Sequence, residues 1–493
     1  MLHIKEEAAR CLLCQDAPCT KACIKGDPAR AIRAIRFDNI KNAGRWIADC
    51  SDADLERAEQ ACIHYDQPIR IRELLKEQEN SIKEQKQSSC PLPPAPCPQD
   101  RGLLAITFCG IRCENPFFLA SSAVCTNYEM VARAFDMGWG GVFYKTICKQ
   151  DIREVSPRFD AVKEGTSFAG FRNMEQLSEN PYEVDFDILK RLKQNYPKKV
   201  VIASIMGQFE EEWIELAKMA EFAGCDAVEL NFSCPQMRLA GMGSDVGQDH
   251  ELVTAYTAYV KQNVKIPVIP KMTPNITHMK EPALGAYFAG ADAISAINTI
   301  KSVTFSPEAE VSEKKTVSGY SGRAVKPIAQ RFILELAQNN IIRGIELSGI
   351  GGIETWRDAL EYIQIGCRNV QVCTAVMEYG YRIIDDLILG LQTYMAERGI
   401  ERLEDLVGEQ LPSFVLPSEL DRETMVLPKI DRDKCMGCGR CYISCTDGGH
   451  QAISFDPDTR EPHIIGQKCV GCHLCRLVCP TGAIGLSRRF KKQ

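Results

Sequence analysis

The chain has 493 residues, of which 24 are cysteines, and a formal net charge of −6. This length provides for two to four domains with a full core, and the acidic balance argues against a nucleic-acid-binding surface. Neither a secretory signal nor an apolar run of membrane-spanning length is present, so we expect a cytoplasmic protein in which clustered cysteines hold metal rather than form disulfides.

The first segment, residues 1–78, is predicted to be a small helical iron–sulfur module. Ala, Ile and charged residues recur there at helical spacing. Its cysteines are Cys11, Cys14, Cys19, Cys23, Cys50 and Cys62. Six cysteines cannot fill two four-cysteine sites, so we expect one [4Fe–4S] cluster. A zinc site or redox-inert thiols are the alternative, because this spacing is not diagnostic.

Residues 79–101 are charged and then proline-rich, which predicts a linker. The two cysteines in this segment, Cys90 and Cys97, are expected to be incidental thiols.

Residues 102–397 are predicted to form one (β/α)₈ TIM barrel, an α/β fold. Eight short β-rich runs alternate there with amphipathic helical stretches. The alternative is an open, doubly wound sheet that binds a dinucleotide. Such a sheet would be accompanied by a G-x-G-x-x-G turn after an early strand, and the sequence contains none.

Polar residues follow the predicted strands at their carboxyl ends, where barrels of this class carry their functional groups. The strand ends read Lys145-Thr146, Asn231-Phe232-Ser233-Cys234-Pro235, Lys271, Asn298-Thr299, Gly349-Ile350-Gly351-Gly352 and Cys373-Thr374.

The last two strand ends predict a phosphate site. Glycines let backbone N–H groups approach an anion, and Ile353 and Glu354 lead into a helix whose amino end favours negative charge. A purely structural glycine turn is the alternative. Lys145 and Lys271 suit a flavin, because a lysine near its N1–C2 carbonyl stabilises the anionic reduced ring. Lysines that extend to the rim are the alternative here.

Cys234 opens a Gly- and Met-rich loop, residues 235–249, that we predict to be a mobile lid. A thiol at a strand end beneath a lid is suited to protonating carbon beside a flavin that transfers hydride. A buried, inert cysteine is the alternative reading.

Residues 398–428 leave the barrel pattern and are predicted to be a second linker, followed at 429–493 by a ferredoxin-like 2[4Fe–4S] domain. Two C-x₂-C-x₂-C-x₃-C runs supply three ligands each to one cluster, and the fourth cysteine of each run binds the other cluster. The first cluster is expected on Cys435, Cys438, Cys441 and Cys479, and the second on Cys469, Cys472, Cys475 and Cys445. Two zinc knuckles are the alternative, although zinc explains neither the third nor the fourth cysteine. Thr446 replaces a usual proline and affects no ligand.

Several of these motifs resemble the dihydropyrimidine dehydrogenase family. They are NFSCP with its GMG-containing loop, YKT, KMTPN, INT, SGYSGRAVKPIA and SGIGG in the barrel, and CMGCGRCYISCTDGGHQAI in the last module. The resemblance covers about residues 102–485. The N-terminal run ARCLLCQDAPCTKAC is also similar to the first domain of that family and of glutamate-synthase small subunits, in abbreviated form.

The resemblance implies FMN in the barrel, with Cys234 as the general acid. It implies pyrimidine-binding roles for Asn173, Glu175, Asn231, Ser233, Asn298 and Thr299. It implies FMN contacts at Ala120, Lys145, Thr146, Lys271, Gly322, Gly351, Gly352, Cys373 and Thr374. The N-terminal cluster ligands it implies are Cys11, Cys14, Cys19 and Cys62, which leaves Cys23 and Cys50 without a role.

Single-chain members of that family carry FAD and NADPH domains that this sequence lacks. The resemblance therefore implies a separate FAD- and NAD(P)H-binding flavoprotein subunit, from which electrons pass through the clusters to FMN and reduce uracil or thymine. We expect the chain to be oligomeric. The nearest alternative is a dihydroorotate dehydrogenase, although the Glu175 carboxylate would repel that of orotate. A tRNA-dihydrouridine synthase and a non-catalytic electron-relay subunit are further alternatives.

Overall fold

The computed structural model describes residues 2–76, 102–164, 167–235, 237, 241–305, 314–342 and 344–492. The predicted linker at 79–101, with Cys90 and Cys97, lies outside these ranges. The chain divides into two compact units, Glu7–Pro412 and Ser413–Gln493 together with Met1–Glu6. Among the helices in the described ranges, none has both the length and the apolar character that crossing a membrane requires.

The strands of the larger unit are the following, within the residues described. In chain order they are β1 Ile106–Phe108, β2 Ile111–Cys113, β3 Phe117–Leu119, β4 Gly141–Ile147, β5 Phe159–Glu164, β6 Ser167–Asn173, β7 Val200–Ile205, β8 Ala227–Asn231, β9 Val268–Lys271, β10 Ala293–Ala296, β11 Ile300–Ser302, β12 Ser318–Ser321, β13 Glu346–Ile350 and β14 Cys367–Val372.

Eight of these strands close into a parallel barrel, which confirms the predicted fold. Their order around the barrel is β3-β4-β7-β8-β9-β10-β13-β14, with β14 pairing back to β3. Every residue of β4 and β7 is buried. Both faces of such strands are covered, so they are near-continuous apolar runs rather than alternating patterns. That property is why all eight predicted runs coincide with barrel strands.

Fifteen α-helices begin before residue 413 within the described ranges, and all but the start of the first belong to the larger unit. In chain order they are α1 Leu2–Arg10, α2 Pro18–Ala22, α3 Pro28–Arg36, α4 Ile40–Ala43, α5 Asp52–Gln60, α6 Tyr128–Met137, α7 Tyr182–Asn195, α8 Glu210–Phe222, α9 Ser244–Gly247, α10 His250–Asn263, α11 Lys280–Phe288, α12 Lys326–Ala337, α13 Trp356–Gln364, α14 Thr374–Tyr379 and α15 Ile384–Arg398.

A four-stranded antiparallel sheet, in the order β11-β12-β6-β5, was not predicted from the sequence. It is built from the connections that follow β4 and β10 in the chain. Asn173 pairs with Phe159 on one side and with Gly319 on the other. Because Gly319 is distant in sequence and the strands are only partly buried, neither periodicity nor local turn signals indicate this sheet.

The N-terminal module packs on the barrel through charged side chains of α3. The Arg33 Nε donates to the Asp386 carboxylate of α15 at 2.7 Å, and Arg30 pairs with Asp385 at 2.8 Å. The side chains of Arg33 and Asp386 are 10% and 4% exposed. Burial raises the pKa of Asp386, and the neighbouring Arg33 guanidinium opposes that rise.

The predicted linker at 398–428 divides at Pro412, where the two compact units separate. Before that point, Leu403 and Leu406 are buried in the core that surrounds the barrel. The amide of Gly408 also donates to the carbonyl of Ile363 at 3.0 Å. The barrel unit therefore extends beyond residue 397.

The smaller unit pairs short antiparallel strands around its cysteines. Its elements are β15 Thr424–Met425, β16 Pro428–Ile430, α16 Arg440–Gly448, β17 Ile453–Asp456, β18 Glu461–Ile464, α17 Leu474–Leu477, β19 Ile484–Leu486 and β20 Phe490–Lys491. The pairs are β15 with β20, β16 with β19 and β17 with β18. Cys441, Cys445 and Cys475 form a small core with Ile453 and Ile484.

Arg33→Ala should loosen the N-terminal module. The substitution leaves the buried Asp386 without its partner, a loss that typically costs about 3–5 kcal/mol. Hydrogen exchange in α3 and α4 should therefore accelerate. Lys41→Ala is the matched control, because the Lys41–Glu397 pair is more exposed and such pairs contribute about 0–1 kcal/mol. Equal protection of the module in both variants would contradict this prediction.

Candidate active site

A cavity of about 1120 Å³, partly open to solvent, lies at the carboxyl ends of the barrel strands. Most residues predicted for the site line it. They are Ala120, Lys145, Thr146, Asn173, Glu175, Asn231, Cys234, Lys271, Asn298, Thr299, Gly322, Gly351, Gly352, Cys373 and Thr374. Ser233 does not line the cavity. It is fully buried, and its hydroxyl donates to Asn231 Oδ1 at 2.8 Å.

The floor of the cavity is a chain of buried polar groups. The hydroxyls of Thr146 and Ser204 are 3.0 Å apart, and Ser204 donates to Glu229 at 2.9 Å. The ammonium of Lys271 lies 3.6 Å from the same Glu229 oxygen. Both charged side chains are almost fully buried. Their opposite charges compensate one another, which keeps the Lys271 ammonium at the mouth of the barrel.

Lys145 and Thr146 are consecutive, yet both reach the cavity. The pairing of β4 with β7 shifts register between Tyr144 and Ile147, and such irregularities re-aim side chains at barrel rims. The Lys145 ammonium lies 2.6 Å from Glu175, in a pair that is almost buried. Arg158 also lies 3.6 Å from Glu175. The predicted flavin lysine and the predicted substrate carboxylate are therefore ion-paired in this structure.

Side-chain amides form a second polar group in the cavity. Asn298 Nδ2 donates to Ser233 at 2.8 Å, and Asn231 Nδ2 donates to Thr146 at 2.8 Å. The backbone N–H of Thr299 donates to Asn298 Oδ1 at 2.7 Å. These bonds fix the rotation of both amide planes, so each presents a defined edge to the cavity.

Gly319 of β12 brings the antiparallel sheet against this amide group. A Cβ atom there would lie 2.3 Å from Thr299 Oγ1 and 3.3 Å from Asn173 Nδ2. Only glycine allows that approach. The sheet thereby carries Asn173 to the mouth of the barrel.

Cys234 is 6% exposed and lies at the edge of the cavity. Its carbonyl accepts a hydrogen bond from the Ser244 amide at 2.9 Å, at the start of α9. Gly243 has a φ of +58°, and a Cβ there would lie 2.4 Å from that carbonyl. This return contact fixes the backbone that presents the thiol. The predicted lid falls partly on Gln236 and 238–240, which lie outside the described residues.

Two helices begin near the phosphate end of the cavity. The helix after β13, α13, begins with a capping box, in which Asp358 accepts from the backbone N–H groups of Glu354 and Thr355. The short helix α14 begins at the cavity, directly after Cys373. An extra helix after the eighth strand is a usual phosphate position in such barrels.

Gly351 and Gly352 complete that end with φ values of +129° and +70°. A Cβ at Gly352 would lie 2.7 Å from Lys326 Cβ. The backbone of this turn therefore takes a path that only glycine follows easily. The turn gives an anion close access to main-chain N–H groups.

Sequence reasoning missed several cavity residues, among them Gln371. Its Nε2 donates to Ser348 at 2.8 Å and lies 3.2 Å from Ser295. Its Oε1 is buried and has no hydrogen-bond partner among the described residues. A glutamine between Val370 and Val372 in strand β14 was the available signal. An aromatic wall formed by Phe159, Phe171 and Tyr320 was also missed, because it belongs to the unpredicted sheet.

The cysteines of the smaller unit surround two cavities. One of about 340 Å³ is lined by Cys435, Cys438, Cys441 and Cys479. The other, of about 350 Å³, is lined by Cys445, Cys469, Cys472 and Cys475. In each cavity the fourth cysteine comes from the other sequence run, which is the crossed arrangement of two-cluster ferredoxins.

The N-terminal module encloses a comparable cavity of about 400 Å³. Cys11, Cys14, Cys19 and Cys62 line it together with apolar residues. Burial is the main cause that raises the pKa of Cys19 to about 11, with the neighbouring cysteines adding to it. Coordination to metal removes the thiol proton outright. Four partly buried cysteines around one cavity fit a cluster.

Comparison with known proteins agrees with this arrangement. Residues 103–395 match the family model described as dihydroorotate dehydrogenase, and residues 428–486 match that of a 4Fe-4S dicluster domain. The chain is 52% identical over 397 residues to the NAD-dependent dihydropyrimidine dehydrogenase subunit PreA of Escherichia coli. That alignment covers 79% of this chain and 97% of the relative.

The chain belongs to the dihydropyrimidine dehydrogenase family, within the dihydroorotate dehydrogenase domain family. A chloroplastic dihydropyrimidine dehydrogenase (NADP(+)) of Arabidopsis thaliana is 38% identical, over 64% of this chain and 79% of the relative. The catalytic subunit of dihydroorotate dehydrogenase B from Pyrococcus horikoshii is 36% identical, over 62% of this chain and 97% of the relative. The chain is therefore an oxidoreductase with an FMN barrel and a 4Fe–4S domain.

The residues present fit both cofactors. The unpartnered Gln371 Oε1 can accept from a ring N–H such as that of an isoalloxazine, and the glycine turn suits a phosphate. Lys145 and Lys271 would lie beside the flavin ring. The cysteine-lined cavities fit [4Fe–4S] clusters.

We expect Glu354 to make FMN binding dependent on pH. Burial, and the nearby Glu378 carboxylate, raise its pKa to about 7, although Arg323 opposes the rise. Glu354 lines the phosphate end of the cavity. It is therefore mostly neutral at pH 6 and mostly charged at pH 8, where it repels a phosphate. Glu354→Gln should lower the Kd for FMN by about threefold to tenfold at pH 8 and leave it almost unchanged at pH 6.

At each pH, the Kd of the wild type for FMN is divided by that of Glu354→Gln. This ratio removes the effect of the titration of the FMN phosphate, which is the same for both proteins. Glu361→Gln is the control, because Glu361 pairs with Lys326 at the surface and does not line the cavity. A wild-type to Glu354→Gln ratio that is equal at both pH values would contradict the prediction.

Proposed function

We propose that this chain is the catalytic subunit of a dihydropyrimidine dehydrogenase, which reduces uracil or thymine to the 5,6-dihydropyrimidine. The observation that carries this proposal is that the Cys234 thiol and a group of oriented amides line one cavity in the FMN barrel. The relatives from Escherichia coli and Arabidopsis thaliana carry this activity in their names.

The amide group supports recognition of a pyrimidine. Uracil and thymine alternate carbonyl acceptors with N–H donors around the ring, and an amide side chain can donate and accept at once. Asn231 and Asn298 are already held by Ser233 and Thr146, so little rotational freedom is lost when they bind the ring. Thr299, and Asn173 from the antiparallel sheet, complete the set of polar side chains in the cavity.

Cys234 would act as the general acid. FMN, when bound and reduced, supplies a hydride to carbon C6 of the pyrimidine. The Cys234 thiol would then give its proton to C5. Hydride and proton together add two electrons and two protons across the C5–C6 bond. The Gly243–Ser244 turn holds the carbonyl of Cys234 and so positions this proton donor.

In the Lys145–Glu175 pair, the lysine is proposed to contact the flavin and the glutamate to contact the substrate. The cations of Lys145 and Arg158 offset the charge of the Glu175 carboxylate in an almost buried site. An ionised carboxylate accepts strongly from a ring N–H. It also disfavours a second carboxylate, such as that of orotate. This is the physical reason for preferring a neutral pyrimidine to dihydroorotate, the substrate in the name of the Pyrococcus relative.

Electrons would reach FMN one at a time through the iron–sulfur clusters. Helix α14 begins at the cavity and ends at Tyr379, whose hydroxyl accepts from Arg36 and from Arg323, each at 3.2 Å. Arg36 also donates to the Cys11 carbonyl at 2.8 Å. Six helical residues span about 9 Å. The N-terminal cysteines are thus connected to the flavin site over a short path within one unit.

The electron donor is proposed to be a separate flavoprotein with FAD and a nicotinamide site. The relative from Escherichia coli is named as a subunit of an NAD-dependent enzyme. The present sequence contains no G-x-G-x-x-G turn with which to bind a dinucleotide. NADH oxidation would then take place on the partner.

An anaerobic assay of the purified chain tests the proposal. The chain should hold FMN and close to twelve iron atoms, if three [4Fe–4S] clusters are present. Dithionite should drive the reduction of uracil or thymine and not of orotate, whereas NADH alone should not. Cys62→Ser should lose about four iron atoms and keep the other eight. Rapid turnover with NADH alone, or a preference for orotate, would contradict the proposal.

Cys234→Ala should keep FMN and lower uracil turnover by about 10²–10⁴-fold, the usual contribution of a general acid. Cys234→Ser should be intermediate at best, because a hydroxyl is a far weaker acid than a thiol. Reduction of the bound flavin by dithionite should be unaffected in both variants. Unchanged turnover in Cys234→Ala would show that the thiol is structural.

Glu175→Gln tests the choice of substrate. Losing a charge-assisted hydrogen bond costs about 1.5–3 kcal/mol, so kcat/KM for uracil should fall by about one to two decades. Turnover of orotate should rise or stay the same. Glu179→Gln is the matched control, since Glu179 also pairs with Arg158, at 3.1 Å, but does not line the cavity. Equal effects of both variants on uracil would mean that Glu175 acts only through Arg158.

A further inference from the structure

Two cysteines of the N-terminal module, Cys23 and Cys50, have no part in the cluster or in the barrel chemistry. The structure brings their sulfur atoms to 3.3 Å of each other, although 27 positions separate them. Cys23 follows the last residue of α2. Cys50 directly precedes Ser51, the N-cap of α5.

The surroundings leave room for this contact. A Cβ at position 26 would lie 2.3 Å from the Cys50 sulfur, so Gly26 creates the space that the thiol occupies. A disulfide needs an S–S distance of about 2.05 Å, so the two sulfurs must approach by about 1.3 Å. Rotation about the side-chain bonds of both cysteines can supply that movement.

The pair also lies between the two segments that supply the cluster cysteines Cys19 and Cys62. Helix α2 contains Cys19, and Cys62 lies two residues beyond the end of α5. The backbone N–H of Ile24 already donates to Asp54 of α5 at 3.3 Å. A covalent bond between Cys23 and Cys50 would hold together the same two segments that supply Cys19 and Cys62 to the cavity.

We propose that Cys23 and Cys50 form a reversible dithiol–disulfide pair, whose closure secures the N-terminal four-cysteine site. The chemical step stands independently of the proposed function. Its consequence for the cluster rests on the proposed N-terminal cluster.

The oxidant we assign is a small-molecule disulfide, RSSR. Cys50 reacts first, because it is partly exposed whereas Cys23 is buried. The Cys50 thiolate attacks one sulfur of RSSR and releases one RS⁻, which leaves a mixed disulfide. The Cys23 thiolate then attacks the Cys50 sulfur and releases the second RS⁻. The two thiol protons end on two RSH, and two electrons pass from the pair to the reagent. Excess dithiol reverses both steps.

The experiment uses the full chain with its FMN and iron, equilibrated anaerobically with defined ratios of oxidised and reduced glutathione. Free thiols are then alkylated, and the chain is digested with trypsin. Cys23 falls in the peptide ACIK and Cys50 in WIADCSDADLER, and each peptide contains one cysteine. We expect these two peptides linked by a disulfide under oxidising ratios, and separate and alkylated under reducing ratios.

Two variants and a control make the result specific. Cys23→Ser should leave Cys50 as a stable mixed disulfide with glutathione, and Cys50→Ser should leave Cys23 largely unmodified. Cys109→Ser, which removes another partly exposed thiol outside the module, should leave the linked peptides unchanged. Uracil turnover in the reduced state should be unchanged in all three variants.

Three results would overturn the proposal. One is alkylation of Cys23 and Cys50 at every ratio without linked peptides. Another is a mixed disulfide on Cys50 that Cys23 never resolves in the wild type. The third is protection of both thiols under reducing conditions that a chelator removes, which would make them metal ligands.

The effect on the cluster is measured separately. The four iron atoms of the N-terminal cluster are those that Cys62→Ser lacks. A chelator should remove them about tenfold or more slowly when the pair is oxidised, because closing this loop restricts opening of the module. Linked peptides without any change in that rate would overturn the proposed effect on the cluster. Disulfide formation between Cys23 and Cys50 would still be supported. Absence of those four iron atoms would instead contradict the proposed function.

Discussion

Closure of eight parallel strands into one barrel is the constraint on which the site depends. Parallel strands all end at the same face, and the interior of the barrel is filled with side chains, so reactive groups are accessible only at that face. Residues as far apart as Ala120 and Thr374 therefore line one cavity. Short insertions after two strands add an antiparallel sheet to this face, and Gly319 lets the sheet approach closely enough to contribute Asn173.

Buried pairs of opposite charge recur at three places in this unit. Lys271 is paired with Glu229 beneath the cavity, Lys145 with Glu175 at its wall, and Arg33 with Asp386 between the N-terminal module and the barrel. Each pair lowers the cost of removing both charges from water. The first two pairs hold cationic groups where the flavin is proposed to bind, whereas the third attaches the cysteine module to the barrel.

Helix α14 connects the cavity with the N-terminal module. It begins at the phosphate end of the cavity and ends at Tyr379, which Arg36 of the module contacts through its hydroxyl and ring. Phe37 also packs edge-on against that ring at 5.0 Å. The module is thus attached beside the flavin site and not on a remote face of the barrel. This arrangement suits the proposed transfer of single electrons to the flavin.

The sequence by itself determined the barrel, because strands buried on both faces are continuous apolar runs separated by amphipathic helices. It also determined the strand-end residues and the crossed grouping of the ferredoxin cysteines, since both follow from regular spacing. Only the tertiary structure decided the antiparallel sheet, the place of Gln371 in the cavity and the contact between Cys23 and Cys50. Most of these depend on pairings between distant segments, or on which face of a strand meets the cavity. Local periodicity carries no information about either, because it reports how a segment is buried and not what it is buried against.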